Sequence, residues 1–267
     1  MRTISLVISD VDGTLVTSDK RLTDASVQAV RRLAERKIGF TITSSRPPIG
    51  LRMLVEPLAL KLPMGAFNGA AIVNPDLSVV EEHVISQAAA QRAVEVLSSF
   101  GVDIWMFAAG RWLLRDPSAP YTDRERRTIQ AEPQVVADFT PFLDRAGKIV
   151  GVSADFPLLA RCEEALRSAL GDSATAVRSQ PYYLDVTPKG FDKGTLVLAL
   201  SQRLKIPTEE IMTVGDMEND LAMFRRSGFS IAMGNASEQV KRQAHAITLV
   251  NDADGFATAI DRYVLAA

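Results

Sequence analysis

Leu6-Val7-Ile8-Ser9-Asp10-Val11-Asp12-Gly13-Thr14 decides how this chain reads. From Thr3 to Ser9 the sequence is short, largely apolar and rich in β-branched residues, and it stops at Asp and Gly. Such a run predicts a buried strand closed by a turn. Two carboxylates one residue apart then stand at the carboxyl end of that strand, the edge where open α/β sheets bind ligands. Gly13 and Thr14 turn the backbone away and leave both acids at the mouth. Unit charges about 4 Å apart repel by roughly 4 kcal/mol at an effective dielectric near 20. An acid pair in a confined pocket therefore calls for a cation. Asp-x-Asp-Gly is also common turn chemistry, so the decision passes to the rest of the chain.

Working outward, Val27, Val30, Leu33 and Ala34 recur at helical spacing across Asp24–Lys37, with arginines and glutamates opposite. Thr23 or Asp24 suits the N-cap. Gly39 and Phe40–Thr43 resume strand character, which makes a βαβ unit and a parallel sheet. That strand runs into Ser44-Ser45-Arg46-Pro47-Pro48, where hydroxyls and free N–H groups ahead of a helix over Ile49–Leu60 offer an anion site or a plain cap. Gly65–Val73 reads as strand, Asn68-Gly69 turn and strand. Asp192-Lys193-Gly194 opens a helix to Leu204, with Asp192 as its cap and Lys193 in the first turn, where a cation opposes the macrodipole. Ile211–Asp220 repeats the opening logic: an apolar strand ends in Gly215-Asp216, and Asn219 and Asp220 follow. In a parallel sheet Asp216 stands beside Asp10. A strand at Phe229–Met233, a helix from Gly234-Asn235-Ala236 to Ala244, a strand at Ala246–Val250 and a helix from Asp254 close the chain.

Between about Glu81 and Asp185 the pattern changes. Helices at Gln87–Phe100 and Leu158–Leu170 mix with strands at Asp103–Phe107, Trp112–Leu114, Lys148–Ser153, Thr175–Arg178 and Tyr182–Val186, and Tyr121–Gln130 is a less regular charged stretch. Paired strands joined by short turns suggest an α+β module on an antiparallel sheet, inserted into the first domain. The expected fold class is α/β, a Rossmann-like parallel-sheet core (1–81 and 187–267) with an inserted α+β cap (82–186).

Composition narrows the chemistry. The chain has 267 residues and a net charge of −2, so nothing in it suggests a nucleic-acid footprint. One cysteine, Cys162, excludes an internal disulfide or a CxxC site. The first residues resemble neither a signal peptide nor a membrane span, and a cytoplasmic protein is expected. His83 and His245 have no triad partners. What remains is carboxylates, hydroxyls and lysine: Asp10, Asp12, Ser44, Lys193, Asp216 and Asp220. All-oxygen ligation suits magnesium, with lysine and hydroxyl on the phosphate oxygens. A carboxylate can attack phosphorus, and Asp12, on the same side of the extended chain, can act as acid and then base.

DVDGT, the SSR segment, the DKG lysine and GDMEND together resemble, in order, the four motifs of the haloacid dehalogenase-like (HAD) phosphatases; the size and place of the insert resemble the Cof-like branch with its type IIB α/β cap. The resemblance implies Asp10 as nucleophile, Asp12 as general acid and base, and magnesium held by Asp10, the Asp12 carbonyl and Asp216. It further implies Ser44, Ser45, Arg46, Lys193 and Asn219 around the substrate, with Asn68, Asp220 and Asn235 in support. The second motif departs from the usual Thr-Gly-Arg, with Ser45 in place of the glycine. The expected activity is magnesium-dependent hydrolysis of small phosphorylated metabolites, chiefly sugar phosphates, with the cap closing over the site. A sugar-phosphate phosphotransferase or mutase and a non-hydrolytic phosphate-binding module are the alternatives. Trp105, Arg111, Arg115 and Tyr183 are cap residues that could meet a leaving group or belong to the core. The oligomeric state is not legible.

Overall fold

In the computed structural model, which describes residues 3–266, the opening run is strand β1 (Leu6–Asp10), with all five residues buried. It is followed by α1 (Asp24–Glu35), capped by the Thr23 side chain accepting from the Ser26 N–H, and β2 (Gly39–Thr43). A 3-10 turn at Pro48–Leu51 leads into a single turn of helix, α2 (Arg52–Val55). The helix expected to reach Leu60 stops there, because Pro57 has no N–H to give and disfavours helix just before it. β3 (Met64–Ala66) and β4 (Ala71–Val73) pair antiparallel around Asn68, whose φ of 55° places it in the left-handed region. β5 (Val79–Glu82) follows. Its exposed edge position gave no apolar alternation to read.

The chain then builds α3 (Gln87–Ser99), β6 (Asp103–Ala108), β7 (Arg111–Leu114), α4 (Thr122–Ile129), β8 (Gln134–Val135), β9 (Ala146–Val152), α5 (Phe156–Leu170), β10 (Ala174–Gln180) and β11 (Tyr183–Pro188). α4 occupies the stretch that looked irregular in sequence. It buries only Thr122 and Ile129, so it lacks an apolar stripe, and it is bounded by Tyr121 and Gln130 in left-handed conformation. The chain returns through α6 (Gly194–Leu204), β12 (Ile211–Gly215), α7 (Leu221–Arg226), β13 (Phe229–Ala232), α8 (Glu238–Lys241), β14 (Ala246–Ile247) and α9 (Gly255–Ile260). The helix expected from Gly234 to Ala244 reduces to α8, which starts where the Ser237 side chain accepts from the Val240 N–H. Asp192 does not cap α6 with its side chain: its carboxylate accepts from Arg226.

Two compact units result. The first comprises the chain up to Ser44, Arg52–Val80 and Phe191 onward; the second comprises Ser45–Leu51 and Glu81–Gly190. The strand order β14-β13-β12-β1-β2-β3-β4-β5 gives an eight-stranded sheet, parallel from β14 to β3. β1 is central and covered on both faces, which is why its sequence is a continuous apolar run and not an alternation. Connections leave β1 in opposite directions, to β2 on one side and towards β12 on the other. The crevice at their carboxyl ends is a topological switch point.

The second unit carries a six-stranded sheet, order β10-β11-β9-β6-β7-β8. One face holds Met106, Ile149 and Leu184 against Ala93 and Leu97 of α3 and Leu159 and Leu166 of α5. Burying each large aliphatic contributes about 1.5–3 kcal/mol. The opposite face carries Trp105, Phe107, Trp112, Lys148 and Asp185, all buried.

Candidate active site

Parallel pairing brings the acids together. Leu6 to Ser9 of β1 pair with Ile211 to Val214 of β12, so Asp10 and Asp216 emerge side by side. Asp10, Asp216 and Asp220 offer carboxylate oxygens all within 4.8 Å of one another. Between two of them lies Lys193, delivered by the turn before α6 and itself buried: Nζ donates to Asp10 Oδ1 at 2.7 Å and to Asp220 Oδ1 at 2.6 Å. Asp220 Oδ2 accepts the Asp216 and Met217 backbone N–H groups at 2.8 and 2.9 Å. The Asp220 carboxylate is thus engaged by three donors. Asp216 is held more loosely, by the Thr14 hydroxyl on Oδ1 at 2.9 Å and Asn235 Nδ2 on Oδ2 at 3.3 Å.

Gly13 makes this approach possible. Its φ is +83°, and a Cβ there would lie 2.4 Å from Asp216 Oδ2. Asn235 Nδ2 also donates to the Gly13 carbonyl at 2.9 Å, and Asn235 Oδ1 accepts the Asn251 N–H at 3.0 Å. Asn219 Nδ2 donates to Asn68 Oδ1 at 3.0 Å. Asp12 lies at the start of the loop after β1, and its Oδ1 accepts Lys20 Nζ at 2.7 Å. The Ser44 carbonyl accepts the Asn68 N–H, and its own N–H donates to Gly65.

Ser45 and Arg46, expected beside Ser44, group with the second unit. Arg46 is buried there and donates to the carbonyls of Gly50 at 3.2 Å and Thr128 at 3.0 Å. The Ser45 carbonyl accepts Lys148 Nζ at 3.3 Å. Arg111 and Arg115 lie over the rings of Phe142 and Phe139. Trp105 packs against Trp112 and Tyr183. Thr14 and Lys20 were not assigned a role from the sequence. Thr14 sits inside the DVDGT run and could have been found there; Lys20 reaches Asp12 only through a turn that no local pattern announces.

Electrostatics mark the cluster. Burial, then the charges of Asp220 and Asp216, hold the Asp10 carboxyl well above the usual range against the pull of Lys193. Asp216 is pushed up to about 6, first by burial and then by Asp220. Burial alone would lower Lys193; Asp10 and Asp220 overrule it and raise it. Three buried carboxylates against one ammonium leave two negative charges in excess. Asp216 and Asp10 retain free oxygen lone pairs, so the donor set fits a hard divalent cation such as magnesium.

The profile of the haloacid dehalogenase-like hydrolase family matches residues 7–260, and the chain belongs to that family. A 5-amino-6-(5-phospho-D-ribitylamino)uracil phosphatase of Bacillus subtilis is 24% identical over 262 residues, covering 98% of this chain and 96% of that one. An HMP-PP phosphatase of Cronobacter sakazakii is 27% identical over 231 residues, covering 86% and 84%. A haloacid dehalogenase-like hydrolase from Bacteroides thetaiotaomicron superposes with a TM-score of 0.90 at 29% identity, covering 97% and 99% of the two chains. The protein is accordingly a phosphatase with the α/β fold of this family.

Proposed function

We propose that this phosphatase hydrolyses small phosphorylated metabolites, sugar or polyol phosphates foremost, through an aspartyl-phosphate on Asp10. The observation that carries the proposal is the buried Lys193 ammonium shared between Asp10 and Asp220 beside Asp216. Lys193 takes Oδ1 of Asp10, which leaves Oδ2 as the attacking oxygen. As the Asp10–phosphorus bond forms, the ester P–O bond breaks and the departing alkoxide takes a proton from Asp12. Water then attacks phosphorus, Asp12 accepts its proton, and the bond to Asp10 breaks to release inorganic phosphate. Lys193 and the Ser44 hydroxyl bind phosphate oxygens, with Asn219 beside them; Ser45 and Arg46 support that loop. Asp10, the Asp12 carbonyl and Asp216 would hold magnesium, which when bound neutralises the charge on the equatorial oxygens. Asp220, with three donors on its carboxylate, fixes Lys193 and does not ligate. Asn68 and Asn235 steady Asn219 and Asp216.

The inserted unit, residues 82–186 on the sequence reading, selects the substrate. The lone Cys162 is buried and free, which is compatible with a reducing compartment such as the cytoplasm. No helix among the described residues is long and apolar enough to cross a membrane.

The test is turnover on a panel of phosphoesters with and without magnesium, with Asp10→Asn as control. We expect metal-dependent phosphate release by the wild type and a loss of about 10³-fold or more in the variant. Activity retained by Asp10→Asn overturns the nucleophile.

A further inference from the structure

A short hairpin follows the DVDGT run and carries a lysine back to it. The Thr17 N–H donates to the Arg21 carbonyl at 2.9 Å and the Lys20 N–H to the Thr17 carbonyl at 2.9 Å, while Val16 bridges Leu22 antiparallel. Ser18, Asp19 and Lys20 therefore make a hairpin loop, and Lys20 closes it in left-handed conformation, with a φ of 66°. Glycine is favoured at such a closing position, because it has no Cβ to crowd the following carbonyl. Other non-glycine residues of this chain are left-handed too. What sets Lys20 apart is where its side chain ends: Nζ donates to Asp12 Oδ1 at 2.7 Å.

The loop is fastened by residues from the far end of the chain. Ser18 donates through its N–H and its hydroxyl to the Asp252 carboxylate, each at 2.8 Å, and Asn251 Nδ2 donates to the Val16 carbonyl at 3.0 Å. The Asn251 N–H donates to Asn235, whose side-chain amide donates to the Gly13 carbonyl and to Asp216. Lys20 and the turn that bears Asp12 are thus held against one another through Asn235, Asn251 and Asp252, all within the first unit.

Stability does not call for this. The side chains of Lys20 and Asp12 are 29% and 24% exposed, and an ion pair so placed contributes little to folding. Proton transfer does call for it. A carboxyl group turns about two bonds, and it passes a proton only when its oxygen comes within about 2.6–3.2 Å of the receiving atom. A donor on one oxygen, rooted in a pinned loop, fixes the plane of the group.

We propose that Lys20 is a positioning residue for the acid–base step, holding the Asp12 carboxyl group in the orientation from which its proton passes. This role rests on the reading of Asp12 as general acid and base given above. As the Asp10–phosphorus bond forms and the ester P–O bond breaks, the Asp12 proton goes to the departing oxygen. Lys20 keeps its own protons throughout and touches neither the phosphate nor the leaving group.

The leaving group separates this role from others. An alkoxide needs the proton as it departs; p-nitrophenolate, a far weaker base, departs without it. kcat/KM covers the steps up to the aspartyl-phosphate, and so the departure itself. The experiment measures kcat/KM, in magnesium, for p-nitrophenyl phosphate and for the alkyl phosphate that the wild type hydrolyses best, with Lys20→Met, Asp12→Asn and the double variant. We expect Lys20→Met to lower kcat/KM on the alkyl ester about tenfold more than on the aryl ester, a part of the ~10²–10⁴-fold that a positioned acid supplies. Asp12→Asn should be selective in the same sense and more strongly. In the double variant the effect of Lys20→Met should vanish, since no acid is left to orient.

A Lys20→Met loss of equal size on both esters, which marks a lysine that binds phosphate directly, would overturn the proposal. So would no loss at all, or full additivity in the double variant. Asp12→Asn without selectivity for the alkyl ester would strike the acid reading itself and the positioning role with it. A selective Asp12→Asn beside an unselective Lys20→Met would strike the positioning role alone.

Discussion

The two units each bury a lysine against aspartate, and they treat it in opposite ways. Around Lys193, three acids, a hydroxyl, an amide and two backbone N–H groups form a closed web in which Asp220 has no idle oxygen. Around Lys148 there is one ion pair, one long contact to a carbonyl, and an acid without a directed donor. Removing one member of a satisfied web leaves an uncompensated buried charge; removing an unsatisfied pair together costs little. The first arrangement is fixed for chemistry. The second leaves the Asp185 oxygens without a directed hydrogen bond.

The sharpest way to break this contrast is Lys193→Met, which leaves Asp10, Asp216 and Asp220 without their cation. It should destabilise the fold by about 3–5 kcal/mol in denaturant unfolding and abolish turnover. A loss below about 1 kcal/mol would mean that the web is not cooperative.

Metal addition probes the same web by pH. Asp10 and Asp216 hold their protons more tightly folded than unfolded, so the folded state binds more protons between the unfolded value, about 3.9, and the raised one. Stability of the metal-free protein should therefore fall as pH climbs from about 4 through about 6, where Asp216 titrates. A divalent cation needs those carboxylates deprotonated. Magnesium at 100 times its Kd should add about 2.7 kcal/mol near neutral pH and distinctly less near pH 5, read as the rise in Tm. An equal rise at both would place the ion elsewhere.

The double variant Lys148→Met, Asp185→Leu sharpens the other side. It should be neutral or more stable by about 1–4 kcal/mol. A marked loss would make that pair a structural element after all.

The smallest effect belongs to Lys20→Met. Its pair with Asp12 is about a quarter exposed on each side, and such pairs contribute about 0.2–1 kcal/mol. Chemical denaturation should show no more than that.

Strands that are buried on both faces were legible, because β1 and β12 are unbroken apolar runs closed by acids and glycine. Helix α1 between β1 and β2 predicted a parallel sheet, and in such a sheet Asp216 at the end of β12 stands beside Asp10. Where burial is one-sided or absent the sequence carried less. β5 and β8 lie exposed at sheet edges, and α4 buries two residues among charges, so neither periodicity was present. Asp192 shows a different limit. It is a good cap by residue type, but Arg226, 34 residues away, takes its carboxylate. Distant partners of this kind, like Lys20 on Asp12 or the register that lines up Trp105 with Asp185, are properties of the folded chain and leave no local mark.

The insertion also sets an order of assembly. β1 meets its neighbour β12 only after residues 211 to 214 exist, a separation of about two hundred positions. Pairings that span so much chain form late, because loop closure precedes any gain from contact. The stretch from Glu81 to Gly190 is contiguous and holds all the strands of its own sheet. During synthesis that segment has all of its own strands while β1 has β2 but still lacks β12, so the inserted unit should fold first and the pairing that sets Asp10 beside Asp216 last.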